Sequence, residues 1–117
     1  MLSERIFKVA NHLQPNDEGE PIRSVVATTA DATIVAWTVK PGQRINAHVH
    51  PEGQDTWTIL EGEGEYQVDT SGSSMRIGVG DVAVATRGAV HGVLNTGSHP
   101  LVFVSVVSPA LAGYELV

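Results

Sequence analysis

Residues 48–64 read HVHPEGQDTWTILEGEG, and the two halves of this stretch obey different rules. The second half alternates: Asp55, Trp57 and Ile59 fall on one side of an extended chain, and Thr56, Thr58 and Leu60 on the other. Alternation is the period of a half-buried strand, because successive side chains of extended backbone point to opposite faces. Gly62 and Gly64 break the run, which predicts a turn over 62–64 and a returning hairpin partner in EYQVDT (65–70). The first half sets His48 and His50 two residues apart, so that on a strand both imidazoles reach one point. Such a pair is either a metal clamp or two solvated side chains near a loop. The spacing alone is weak, and by itself favours solvated histidines.

The pattern continues on both sides. IRSVVATT (22–29) and ATIVAWTV (32–39) are rich in β-branched residues and flank a short turn at Ala30-Asp31. KPGQR (40–44) is a turn, since proline and glycine suit neither the ladder nor the packing of a strand interior. Downstream, MRIGVGD (75–81), DVAVAT (81–86), VHGVLN (90–95) and the strongly apolar LVFVSVVS (101–108) read as strands separated by SGSS, RGA and TGSHP. Short strands at this spacing argue for an all-β sandwich or barrel. No segment has the length and 3.6-residue period of a long amphipathic helix. The polar stretch NHLQPNDEGEP (11–21) is expected on the surface, and the tail PALAGYELV has no clear pattern.

Bulk properties narrow the function. At 117 residues the chain is expected to form one domain over 1–117. Seven Lys and Arg against thirteen Asp and Glu give a net charge of −6, and the arginines are scattered along the chain. A phosphate-binding surface needs clustered cations, so nucleic acid and anionic membrane are excluded as partners. Cysteine is absent, which removes disulfides, thiolate metal sites and thiol nucleophiles. No stretch approaches the roughly 20 apolar residues of a membrane span, and the N-terminus lacks the apolar run of a signal peptide. A cytoplasmic protein is expected.

The surroundings of the histidines sharpen their reading. Five residues separate Gly42 from His48, and after His50 come four residues, Asp55, six residues and Gly62. Gly80 is followed after five residues by Thr86, then Gly88, two residues, His91, three residues and Asn95. Together these spacings, over about 42–62 and 80–95, resemble the two signature motifs of the cupin superfamily. The resemblance extends over about residues 35–107 and implies a small single-domain cupin β-barrel, a jelly-roll-like double-stranded β-helix. Two antiparallel sheets would then form a barrel open at one end, with a metal ion inside. Two positions depart from the pattern: the proline of the second motif is Thr86, and the glutamate of the first is absent.

The resemblance implies His48, His50 and His91 as ligands of one divalent transition metal, and a fourth, oxygen ligand from Gln54 or Asp55. Asp55 keeps the six-residue interval to Gly62 and shares a strand face with Trp57 and Ile59; Gln54 offers a neutral amide oxygen at the alternative three-residue spacing. Imidazole and oxygen donors suit iron, manganese, nickel, zinc or cobalt alike. Three imidazoles and one oxygen leave one or two positions open for a substrate or dioxygen. The expected function is therefore a metal-dependent enzyme, a lyase or isomerase or an oxygenase, acting on a small polar, oxygen-rich molecule. The alternative is a metal-dependent binding or sensing module without turnover. Arg44, Trp57 and Tyr66 are candidate substrate-binding residues. Arg44 stands an even step from His48 and carries a fork suited to a carboxylate. His12 and His99 lack motif support and read as surface residues. The apolar runs VVATT and VFVSVV, more than one small barrel easily covers, predict a homodimer.

Overall fold

The computed structural model describes residues 4–117. Its strands are β1 (Ser24–Thr28), β2 (Thr33–Val39), β3 (Arg44–Val49), β4 (Gln54–Glu61) and β5 (Glu63–Gln67), then β6 (Ser74–Gly78), β7 (Val82–Ala85), β8 (His91–Leu94), β9 (Leu101–Ser108) and β10 (Glu115–Leu116). A single turn of 3-10 helix at Val9–His12 precedes them. The strands form two antiparallel sheets, ordered β1-β2-β9-β4-β7 and β10-β3-β8-β5-β6. Among the described residues no helix is long and apolar enough to cross a membrane.

Alternation becomes burial where the sheets face each other. On β4, Asp55, Trp57 and Ile59 are buried while Gln54, Thr58 and Leu60 are exposed. The inner faces meet in a core of Val39, Ile45, Trp57, Ile59, Tyr66, Ile77, Val93, Leu101 and Phe103. Trp57 stacks on Phe103 at a centroid distance of 4.2 Å and meets Tyr66 edge-on at 5.2 Å. This packing closes one end of the barrel. At the other end the inner face carries polar groups.

One expected pairing is wrong, and the error is informative. β5 does not return as the hairpin partner of β4; β4 pairs with β7 and β9, whereas β5 pairs with β6 and β8. A register shift between Ile59 and Glu61 bends β4 out of its sheet. Gly62 follows at φ +77°, where a Cβ would lie 2.3 Å from the Pro100 carbonyl oxygen. The chain therefore crosses to the opposite sheet where hairpin geometry would have folded it back. The expected strands at 22–29, 32–39, 55–61, 75–81, 81–86, 90–95 and 101–108 all contain observed strands within them or within a residue of them. The tail shows no period because β10 has two residues and exists only by pairing with Val49 and His48.

The polar excursion at 11–21 lies mostly on the surface, tied down by side chains from the next turn. Gln43 Nε2 donates to the carbonyls of Asn16 and Gly19, at 2.7 and 3.2 Å, and Lys40 pairs with Asp17. These contacts bring Glu20 to Arg23 across the open end of the barrel.

Candidate metal centre

His48 lies on β3 and His91 directly opposite it on β8, with ring centroids 4.2 Å apart. His50 follows the end of β3, and Asp55 projects from β4 in the other sheet. One donor atom from each of these four residues lies within 4.8 Å of the other three. His48, Asp55 and His91 are buried and His50 nearly so. The cluster therefore joins both sheets at the open end.

The hydrogen bonds around the rings show what the cluster is prepared to hold. Each Nδ1 faces a backbone carbonyl: His48 that of Asn46 at 2.7 Å, His50 that of Gly113 at 2.7 Å, and His91 that of Ala89 at 3.0 Å. A carbonyl oxygen only accepts, so each Nδ1 carries a proton, and a neutral ring leaves Nε2 as a lone pair. Yet Nε2 of His91 lies 2.9 Å, and Nε2 of His50 3.2 Å, from Asp55 Oδ2. Lone pairs set against a carboxylate repel. Either a ring takes a second proton, or a cation stands among them.

The ionisation of these groups reflects the same tension. Burial holds the His48 pKa down to about 4, aided by the charges of His91 and His50. Burial also opposes charge on His50, but the Asp55 hydrogen bond and the Gly113 carbonyl outweigh it and raise its pKa. For Asp55, burial is again the largest influence and would raise the pKa, but hydrogen bonds from His50 and His91 bring it down to about 2. Asp55 is thus an anion at neutral pH. Its Oδ1 is buried without a hydrogen-bond partner. An anionic oxygen without a partner, beside three inward lone pairs, is a donor set suited to a divalent transition ion. The residues present fit that group, and the cluster is able to bind it.

Gln54 is placed differently. Its side chain is exposed and donates to the Thr56 hydroxyl at 3.3 Å, on the sheet face away from the cluster. One step along an extended strand changes the face.

A cavity of about 530 Å³ lies above the cluster, with His48, His50 and Asp55 in its lining. Trp57 forms part of its wall, and Tyr66 packs behind Trp57 in the core, its phenol pushed up to about 12 by burial and by the Asp55 charge. Arg44 is exposed beside a smaller cleft with Glu20, Trp37 and Tyr114. The even step from Arg44 to His48 fails because a register shift between Ile45 and His48 sets Asn46 and Ala47 against the single residue Gly92. A Cβ on Gly92 would meet the Ile45 carbonyl at 2.7 Å, so the bulge needs glycine there. Ile45 and His48 consequently both face the cavity, while Arg44 and Asn46 face out.

The second motif contributes scaffolding as well as His91. Gly88, at φ +75°, donates its N–H to the His50 carbonyl at 3.0 Å, and Ala89 N–H closes the turn on Thr86 O at 2.8 Å. The turn thus forms with threonine where the motif has proline. Asn95 is buried and donates to the carbonyls of Val39 and His99 at 2.8 and 2.9 Å, pinning the loop that follows β8 to the end of β2. His99 itself is exposed, and His12 packs edge-on against Phe7.

Sequence reasoning missed the residues that finish the mouth. Tyr114 covers the histidines, its ring 4.9 Å from His48 and 6.1 Å from His50. The segment 109–117 is held there by Glu52 N–H to Ala112 O at 2.8 Å and by the β10 ladder. Arg23 reaches the cavity from the segment before β1. No local signal marks them, since they are brought in by contacts with distant strands.

No curated protein matches the chain. Among solved structures, a conserved protein with a double-stranded β-helix domain from Klebsiella pneumoniae is 49% identical, with 97% of each chain covered and a TM-score of 0.93. A protein from Thermus thermophilus is 26% identical over 90% of this chain and 97% of its own, at 0.81. A predicted oxalate decarboxylase from Thermotoga maritima shares the fold at 23% identity, 77% and 92% coverage and a TM-score of 0.69. The cupin-domain family model matches residues 35–107, the span that carries all four cluster residues. A barrel of two antiparallel sheets, three inward imidazoles and a carboxylate at its open end, and this family match together make the chain a member of the cupin family.

Proposed function

We propose that the protein is a metal-dependent enzyme acting on a small oxygen-bearing organic molecule, with His48, His50, His91 and Asp55 holding one divalent ion. The observation that carries this reading is the position of the cluster: three of its four residues, His48, His50 and Asp55, line a cavity large enough for a small molecule. A purely structural site would be closed by four protein ligands and packed over. When bound, the ion supplies Lewis acidity toward a carbonyl or carboxylate, or a site for dioxygen, which accommodates lyase, isomerase and oxygenase chemistry. The chain's own part is to hold Asp55 ionised, to fix each imidazole through its Nδ1 carbonyl, and to exclude water with Trp37, Trp57 and Tyr114. Iron, manganese, nickel, zinc and cobalt all suit this donor set.

A second reading, a metal-dependent binding module, is favoured by one observation. Apart from the cluster, the titratable side chains lining the cavity are Glu20, Arg23 and Tyr114, and all three are exposed. Protein purified without chelator or metal-affinity tag should contain about one ion per chain by elemental analysis. Cobalt-loaded protein should change its visible spectrum on adding azide, showing an exchangeable position. A metal-free preparation that takes up no ion ends both readings, and an azide-insensitive spectrum ends the catalytic one.

The tail enters this reading through the Gly113 carbonyl on His50. Removing residues 109–117 should weaken metal affinity about 10–100-fold, the usual cost of losing a partner that orients a ligand. Circular dichroism should be little changed, because the tail adds only a two-residue strand. Unaltered affinity would show that Gly113 does not orient His50.

We also infer a homodimer, on altered grounds. β9 is the central strand of its sheet, so VFVSVV is mostly covered within the chain; Val104 and Val106 are half-buried. Among the exposed apolar residues, Val82 and Val84 lie side by side on edge strand β7, next to Thr56 and Thr58 of β4. An uncharged β-branched edge is a pairing site. Sedimentation at micromolar concentration should show twice the 12.4 kDa chain mass; a monomer alone would sink the inference.

A further inference from the structure

We propose that the cavity takes a monocarboxylate with an apolar, ring-bearing body, its carboxylate held by Arg23 and its body between the sheets above the His48–His50–Asp55 cluster. This inference rests on reading the cavity as the place where a ligand meets the metal centre, and it names the class of that ligand.

The walls favour an apolar body over a polyhydroxylated one. Val35, Trp37, Trp57 and Val107 supply one side of the cavity, and Leu111 and Ala112 of the tail supply its edge. Two hydroxyls interrupt this surface, and each already has one partner. Ser105 Oγ accepts from Trp37 Nε1 at 3.4 Å, and Thr33 Oγ1 shares a hydrogen bond with Thr28 Oγ1 at 2.9 Å. A sugar-like molecule would recover on this surface only a few hydrogen bonds, from Trp57 Nε1 and the remaining capacity of the two hydroxyls, and each group left unpaired costs about 1–3 kcal/mol. An aryl or alkyl body gains from the same burial.

The anion's partner follows from charge. Arg23 is the one Lys or Arg among the residues lining the cavity. It makes no ion pair or side-chain hydrogen bond among the described residues, whereas Arg76 pairs with Glu63, Arg87 with Glu52 and Lys40 with Asp17. Arg23 lines the same cavity as His48, His50 and Asp55. Glu20 also lines the cavity and the smaller cleft beside it, and it accepts from Asn46 Nδ2 at 3.2 Å. A carboxylate can therefore approach the Arg23 fork with Glu20 already hydrogen-bonded elsewhere. The role that strand parity suggested for Arg44 passes to an arginine that parity could not locate.

The test compares 3-phenylpropionate, its primary amide and galacturonate, with binding followed by tryptophan fluorescence in metal-free and metal-loaded protein. The acid should bind at least about tenfold more tightly than the amide and than the sugar acid. Arg23→Gln should abolish the preference of acid over amide in both preparations, with metal affinity unchanged; Arg23 is exposed, so the fold should be unaffected. Equal binding of acid and amide, or tighter binding of galacturonate, overturns the proposal. So does a preference that survives Arg23→Gln and vanishes without metal, which would place the carboxylate on the ion. Selectivity governed by Arg23 in a protein that takes up no metal would uphold the ligand class and defeat the metal reading.

Discussion

Replacing His48 and His50 together by alanine is expected to remove retained metal entirely, with the β-barrel still folded. Two of four ligands are lost, and the remaining pair, His91 and Asp55, comes from opposite sheets with no chelating spacing. The fold should survive because neither histidine belongs to the hydrophobic core, which is built from Val39, Ile45, Trp57, Ile59, Leu101, Phe103 and their neighbours. The metal-free variant should lose about 1–3 kcal/mol, since two largely enclosed rings and one of the two imidazole partners of Asp55 disappear. The larger effect appears on loading. An ion that binds only the folded chain stabilises it by about 2.7 kcal/mol at a hundredfold excess over Kd, a rise in Tm on the order of 10 °C for a domain of this size. The wild type should show this rise and the double variant should not. A variant that retained metal at the wild-type level would remove these histidines from the site.

Asp55→Asn and Gln54→Ala should differ sharply although the residues are neighbours. Asp55→Asn keeps the shape but removes the anion that three imidazole lone pairs need as a counter-charge to a cation, and affinity should fall by about two orders of magnitude or more. Gln54→Ala removes an exposed amide whose contact is with Thr56, and affinity should stay within about twofold. Loss of metal in Gln54→Ala with retention in Asp55→Asn would reverse the assignment. Titration gives a second check on the Asp55 side chain. Its pKa is lowered from 3.8 to about 2, so its contribution to stability is complete above the ordinary carboxylate range. That contribution is lost as pH falls through about 2. In metal-free protein Asp55→Asn should therefore flatten the acid limb of the stability profile. Metal itself competes with protons, most directly at His50, whose pKa is raised. Affinity should thus climb with pH through the histidine range and be lost toward about pH 5. The imidazoles govern that release, so only the paired substitutions separate the two oxygen candidates.

Much of the architecture is written locally. Alternation in DTWTILE places Asp55, Trp57 and Ile59 inside, and the structure buries all three. The strands at 32–39 and 101–108 carry enough β-branched residues to be read alone, and they pair along their whole length from Thr33↔Val107 to Val39↔Leu101. The resemblance to the two cupin motifs names His48, His50 and His91 together before any contact is known, whereas strand parity alone supplies only the weak pairing of His48 with His50.

What the sequence by itself determined is the all-β class and the inward parity of Asp55, each a matter of residue type and period over a few positions, and, through its resemblance to the cupin motifs, the three histidines. What only the tertiary structure decided depends on where the chain bends. The bulge opposite Gly92 reverses parity upstream of His48 and turns Arg44 outward; the crossing at Gly62 separates β4 from β5. Gly113, Tyr114 and Arg23 reach the site through contacts across 60 residues or more, or from segments with no period of their own, His50 to Gly113 being 63 apart. A periodic pattern states which face a side chain occupies only until the next irregularity. Beyond that point the direction of each side chain is set by the packing of one sheet against the other, which no short window of sequence contains.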